Sequence, residues 1–191
     1  MKKLFIYLFC CFHLSAVGQM SQHSEGISSI TKVYTPVQIA AYQDNATGKI
    51  SDYYQYLSLL SSDNTEPALK DEVERAILLT FKDSTTLVTD LLSGQNNLIP
   101  LSEFIKKVRM GKNISFSVKN IRESAPANEN SWEVAYEVSV ISEGILSRQQ
   151  VLQKIFFQPE SKAFGTSNKV VWSTYLWDFE KPLIKNKKSD N

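Results

Sequence analysis

The side chains with the widest chemical reach are few. Among 191 residues the chain has two cysteines, Cys10 and Cys11, and two histidines, His13 and His23. Thiolate nucleophiles, thiolate metal sites and imidazole general bases all draw on these types. His23 stands in a Ser/Gln-rich stretch, and a general base must be held in position, so it reads as a solvated tail residue. There are 20 Asp plus Glu. Glycoside cleavage needs two opposed carboxylates, and sequence spacing pairs no two of them. No stretch matches a Gly-rich phosphate loop, a serine-hydrolase elbow, a zinc-binding helix motif or a calcium loop. The expectation is a chain with no cofactor and no metal.

The first residues account for the scarcity. Met1-Lys2-Lys3 is followed by the apolar run Leu4 to Leu14 and by the small residues Ser15-Ala16-Val17-Gly18. This is the layout of a bacterial secretory signal peptide. The run is too short for a hydrocarbon core that needs roughly 20 residues. Ala16 and Gly18 occupy the −3 and −1 positions for cleavage before Gln19. Cys10, Cys11 and His13 would leave with the signal peptide, as would Lys2 and Lys3. The 21 Lys plus Arg then fall to 19 against 20 acids, and the net charge moves from +1 to −1. A near-neutral surface cannot replace phosphate counterions, so nucleic acid is not an expected partner. The expected localisation is exported: periplasm, cell surface or extracellular, with no transmembrane segment after cleavage. Two N-glycosylation sequons, Asn45-Ala46-Thr47 and Asn113-Ile114-Ser115, have meaning only in a eukaryotic secretory pathway. Asp83-Ser84-Thr85 is similar to a short O-glycosylation motif of some Gram-negative bacteria, and an Asp-Ser pair also suits a turn.

The elements that must position any site change periodicity once. Residues 19–48 read as an arm or linker, with a short strand from Ile30 to Thr35 ended by Pro36. Residues 49–180 read as one domain, and 181–191 as a basic tail with Lys181, Lys185, Lys187 and Lys188. Ser51 is placed to cap a helix in which Tyr53, Tyr56, Leu57 and Leu60 recur at helical spacing. Glu66-Pro67 opens a second helix with Leu69, Val73, Ala76, Ile77 and Thr80/Phe81 as its stripe. Thr85 to Leu91 is an extended crossing. Ser102-Glu103 starts a third helix, buried through Leu101, Phe104, Ile105 and Val108, with Gly111 at its C′ position. Strands follow. Ile114, Phe116 and Val118 alternate, and Ala125 to Asn128 marks a loop. Trp132, Val134, Tyr136, Val138 and Val140 form the clearest strand, and Glu143-Gly144 turns the chain. Gln150 to Phe157, a turn over Pro159 to Gly165, and Lys169 to Trp177 complete the order. Three helices before four strands is an α+β order, with helices packed on a curved antiparallel sheet.

That order resembles the cystatin-like cone fold of the nuclear-transport-factor-2-like superfamily. The resemblance covers about Ile50 to Phe179 and lies in element order, lengths and apolar pattern. It implies helices closing the concave side of a curved sheet, with room for a small apolar ligand. Enzymes of that superfamily place an Asp or His base and a Tyr or Asp donor in the cone. The positions this implies here are Tyr53, Tyr56, Asp90 and Tyr136. One scaffold hosts many functions. The primary reading is a non-catalytic binding or accessory domain of the bacterial envelope. The alternatives are an isomerase or dehydratase-type enzyme using tyrosine and aspartate, and an inhibitor or immunity-like protein. An enzyme should have a carboxylate facing inward near Tyr53, Tyr56 or Tyr136.

The last two strands break simple alternation. Val151, Ile155 and Phe157 oppose Leu152 and Phe156, while Val170, Trp172 and Leu176 oppose Val171, Tyr175 and Trp177. A sheet with one wet face should alternate apolar and polar, so the face away from the helices must be covered or sticky. Either the arm folds over it through Ile30, Val33 and Tyr34, or it meets a protein partner or a second copy through Tyr175, Trp177, Val171 and Phe156. Aromatic side chains carry most interface energy. The leader itself is directly testable. Mature protein recovered from its host should begin at Gln19 or within about two residues of it. It should also contain no thiol, and N-terminal sequencing that finds Met1 retained contradicts the export reading.

Overall fold

A computed structural model describes residues 34–180 apart from 96 and 129. The leader, His23, Ile30 to Val33 and the basic tail lie outside the described residues. Three helices and two antiparallel sheets make an α+β architecture. The first helix, α1, spans Pro36–Ser61 and so starts well before Ser51. Thr35 is its N-cap. The Thr35 hydroxyl accepts from the Gln38 N–H, the Gln38 side chain accepts from the Thr35 N–H, and Pro36 takes the first helical position. A capping box with Pro at N1 is a strong start signal. It overrides the reading of Pro36 as the end of a strand and of residues 36–48 as linker. Ser51 is interior, its hydroxyl bonded to the Thr47 carbonyl at 3.2 Å.

The second helix, α2, spans Pro67–Thr80 and the third, α3, spans Leu101–Met110. Val73 and Ile77 are buried on α2, as is Phe81 at its C-cap, whereas Leu69 is exposed. On α3, Leu101, Phe104, Ile105 and Val108 are all buried, as their spacing predicts. Gly111 follows α3, but with φ −72° rather than a left-handed conformation. Glycine is needed there for space: a Cβ would lie 2.4 Å from the Cδ1 of buried Ile114. Between α2 and α3 the chain forms a small sheet of β1 (Leu87–Thr89) and β2 (Leu98–Pro100).

The main sheet is an antiparallel meander of β3 (Ser115–Asn128), β4 (Ser131–Ser142), β5 (Ile145–Phe164) and β6 (Ser167–Glu180). Ala125 to Asn128, expected as a loop, belongs to β3. Register shifts at Lys119/Arg122 and Glu123/Pro126 absorb the irregular sequence, as bulges do by bending a strand. Glu143 (φ 52°) and Gly144 (φ 79°) form the tight β4–β5 turn, which requires two residues with positive φ. Pro159 to Phe164, expected as a turn, continues β5. The chain reverses at Gly165, with φ 62°. Pairing of β5 with β4 ends at Phe156, whereas its pairing with β6 continues to Phe164. The β5/β6 hairpin therefore runs beyond the sheet as a two-stranded ribbon, and residues 161–170 are exposed. An exposed ribbon edge tolerates Pro159, which could not sit in a central strand.

One face of the sheet carries Val118, Trp132, Val134, Tyr136, Val138, Val151, Ile155, Phe157, Trp172 and Leu176, and α1 lies on it through Ile50, Tyr53, Tyr54, Leu57 and Leu60. Burial of this apolar area, at roughly 25 cal/mol per Å², is the main stabilising term. The hydrogen bonds of α1 reach both edges of the sheet. At the β3 edge the Ser61 hydroxyl donates to the Ile114 carbonyl at 2.8 Å and accepts from the Ile114 N–H at 3.0 Å, and the Ser58 hydroxyl accepts from the Phe116 N–H at 3.0 Å. At the β6 edge the Lys49 ammonium donates to the Thr174 carbonyl. The segment after α2 covers the rest of that edge. The Lys82 N–H donates to the Leu176 carbonyl at 3.0 Å, and the Leu87 N–H to the Asp178 carboxylate at 2.8 Å.

Two positions on the β5/β6 hairpin test this layout. Ile155 has no exposed surface and Val170 is 68 % exposed. Ile155→Ala should lower the stability of residues 19–191 by about 2–5 kcal/mol in urea unfolding. Val170→Ala should change it by no more than about 0.5 kcal/mol. Similar effects at both positions would contradict the placing of Val170 on an exposed ribbon beyond the packed sheet.

Candidate functional site

The interior face of the sheet holds a chain of polar side chains. Tyr136 on β4 and Gln153 on β5 lie on the same face, and the Tyr136 hydroxyl donates to Gln153 Oε1 at 2.6 Å. Tyr54 on α1 approaches from above, its hydroxyl 3.3 Å from that of Tyr136. Since Tyr136 has already given its one proton to Gln153, Tyr54 is the donor in this contact. Tyr53 packs beside Tyr54 with ring centroids 4.8 Å apart and meets Phe81 edge-on at 5.0 Å. Gln153 is fully buried and its Nε2 has no hydrogen-bond partner, a cost of about 1–3 kcal/mol borne by the surrounding apolar packing.

Sequence reasoning places Tyr53 and Tyr136 in this interior, and both are there. Tyr54, not Tyr56, supplies the hydroxyl that meets Tyr136. Tyr56 is half-buried and packs at the margin of the core. Asp90 is buried elsewhere. Its Oδ2 lies 3.0 Å from Lys107 Nζ on α3, and its Oδ1 accepts from the Leu92 N–H at 3.2 Å. Its own N–H donates to the Asn97 carbonyl. Asp90 thus ties the β1–β2 connection to α3, and the hydrogen bond to it, with that to Glu103, holds the Lys107 ammonium above its ordinary pKa. Where an enzyme of this type would need an inward carboxylate, the tyrosines meet the Gln153 amide. One signal for Gln153 was visible in the sequence: it interrupts the apolar series Val151, Ile155, Phe157 on a single strand face.

Burial pushes the Tyr53, Tyr54 and Tyr136 hydroxyls well above their ordinary pKa, and the neighbouring tyrosines add to the effect at Tyr53 and Tyr54. At Tyr136 the bond from Tyr54 works the other way. Phenols held that high keep their protons near neutrality. Among the described residues no group of three or more His, Cys, Asp and Glu side chains is placed to hold a metal ion, and no helix is long and apolar enough to cross a membrane.

The outer face of the sheet carries the other aromatic group. Phe156 and Trp177 lie with centroids 4.8 Å apart. The Lys82 ammonium sits 3.7 Å from one ring centroid and 3.6 Å from the other, a close cation–π arrangement. Its pKa is lowered, chiefly by desolvation. Trp177 Nε1 donates to Asp178 at 2.6 Å. The Tyr175 hydroxyl donates to Glu160, which also accepts from Ser173 at 2.8 Å. Burial and the Glu160 carboxylate push the Tyr175 phenol up to about 12. Phe156, Val171, Tyr175 and Trp177 are all half-buried. The arm does not supply this cover through Tyr34, whose ring packs on Tyr42 and on Trp172, a residue of the inner face. Ile30 and Val33 lie outside the described residues.

The chain matches no protein-family model and no curated protein sequence.

The raised phenols give a pH signature. An unfolded tyrosine ionises near pH 10, and the three interior ones do so only well above it when folded. Between those values the folded state binds more protons, so stability is complete below about pH 10 and falls as pH rises past it. In an absorbance titration of residues 19–191, these three phenolates should appear together with the loss of far-UV circular dichroism. Reversible ionisation of all the tyrosines near pH 10 with the fold intact would contradict the buried cluster.

Proposed function

We propose that the chain is an exported, non-catalytic binding domain of the bacterial envelope, and that the outer face of its sheet is the contact surface. The observation that carries this reading is the Phe156–Trp177 ring pair. Two large aromatics stand outside the core, half-buried and with centroids 4.8 Å apart, with Tyr175 and Val171 beside them on β6. Clustered aromatics at a surface are the residue type that anchors interfaces. The interior supports the same reading by what fills it: Tyr53, Tyr54, Tyr136, Phe104 and Phe157 are fully buried. The Tyr54–Tyr136 hydroxyl series ends on the Gln153 amide.

The partner proposed is a second copy. Loss of the leader leaves a net charge of −1, so two copies meet without long-range repulsion. The outer face carries both signs: Lys82 and Lys154 against Glu137 and Glu160. A twofold axis can set each charge against its opposite, as an isologous interface requires. Light scattering on residues 19–191 should therefore give a dimer mass at micromolar concentration. Trp177→Ala should shift it to the monomer, and Lys107→Ala, on the opposite side of the sheet, should leave it dimeric. A strict monomer across the accessible concentration range would reject the second copy as partner.

A further inference from the structure

A different surface carries a second site. Between the first half of α1 and the outer edge of β6 runs a cleft of about 440 Å³, lined by Tyr42, Asn45 and Lys49 from the helix and by Lys162, Trp172 and Ser173 from the ribbon. That volume lies within the usual range of small-molecule sites, roughly 300–1,000 Å³. The lining residues of α1 fall at helical spacing, so one stripe of the helix forms one wall. The other wall is strand edge. Thr174 and Leu176 turn their carbonyls outward to Lys49 and Lys82. By the alternation of antiparallel pairing, Trp172 also turns its N–H and C=O outward, into the cleft.

The charge in this cleft is unbalanced. Lys49 is half-buried, and its ammonium is bonded to the Thr174 carbonyl and lies 5.3 Å from the Tyr175 ring centroid. Among the described residues it forms no salt bridge with a carboxylate. Desolvation, then the like charge of Lys162, hold its pKa below the ordinary lysine value. The nearby carboxylate is Glu160, which is already engaged: it accepts from Ser173, Tyr175 and Gln158 and pairs with Lys162 at 3.6 Å. A half-buried ammonium without a counter-ion is costly, and the cost falls when an anion enters beside it. Asn45 accepts from the Thr174 hydroxyl through Oδ1 at 2.9 Å, which leaves its NH₂ as a donor. Tyr42 and Trp172 both pack on the buried Phe157, with centroid separations of 4.6 and 4.8 Å, and are the aromatic residues of the lining.

We infer that this cleft binds a small organic carboxylate with a planar apolar body. The carboxylate sits between Lys49 and Lys162, within reach of the Asn45 amide and the Trp172 N–H, and the body lies against Tyr42 and Trp172. The arrangement selects for charge and for an apolar body together. Acetate would engage the lysines alone, and a neutral aromatic alcohol the wall alone.

Calorimetric titration of residues 19–191 with phenylacetate, 2-phenylethanol, acetate and inorganic phosphate tests this. Phenylacetate should bind saturably with one-to-one stoichiometry, at least about tenfold more tightly than 2-phenylethanol or acetate. Lys49→Met should abolish that preference. Lys162→Met, at a side chain 53 % exposed, should reduce it several-fold with an unchanged circular dichroism spectrum, so that the result does not depend on the folding of the Lys49 variant. Equal binding of the neutral alcohol, phenylacetate binding indifferent to both lysines, or preferential binding of phosphate would each overturn the inference. Trp177→Ala should leave phenylacetate binding intact, which separates this site from the dimer surface.

Discussion

Helix α1 is bonded to both edges of the sheet it covers, and the rest of the structure depends on that span. An antiparallel meander ends in two strands with unpaired backbone groups on their outer sides. Here Ser58 and Ser61, near the C-terminus of the helix, take up the groups at the start of β3. Lys49, three turns earlier, takes up a carbonyl of β6. The helix therefore has one position along the sheet and one rotation about its own axis. Ile50, Tyr53, Tyr54, Leu57 and Leu60 must then point at the inner face, and the lining residues of the cleft must face the ribbon.

This constraint explains why polar side chains are tolerated in the interior. Tyr54 reaches Tyr136 because the helix is held at that height, and Tyr136 reaches Gln153 because both lie on one face of neighbouring strands. Each hydroxyl in the series finds a partner, while the Gln153 NH₂ does not. The net contribution to stability is small or negative. The cluster's effect is on specificity, because a helix rotated by one residue would leave the buried Tyr54 hydroxyl without its Tyr136 partner.

Both chemical features of the surface arise where this packing stops. Lys49 and Lys82 come from the helical side of the domain and reach around the β6 edge, where their stems cover apolar surface and their ammonium groups meet aromatic rings. Lys82 is held by two rings, whereas Lys49 lies beside an open cleft. The β6 edge of the ribbon formed by Phe157 to Thr174 builds one wall of that cleft.

Local order was legible in the sequence because its signals are local. The alternation from Trp132 to Val140, the apolar stripe of α3 and the proline opening α2 each follow from the period of a single element, and each stands in the structure. Thr35-Pro36 with Gln38 was also a local signal, a capping box, yet proline stops strands as readily as it starts helices. The contacts of Thr35 and Gln38 decided between the two. Ala125-Pro126 and Pro159 read as turns because proline weakens a ladder. They lie in strands because bulges and an exposed ribbon edge leave its missing N–H unneeded. The sequence by itself determined the α+β order, the inward places of Tyr53 and Tyr136, and the second apolar set on the last two strands. Only the tertiary structure decided that Tyr54 rather than Tyr56 meets Tyr136, that Tyr136 meets Gln153, and that Lys49 lies against Thr174. Those pairs are separated by 82, 17 and 125 residues. Their proximity depends on strand register and on where one helix crosses the sheet, and no short-range pattern carries either.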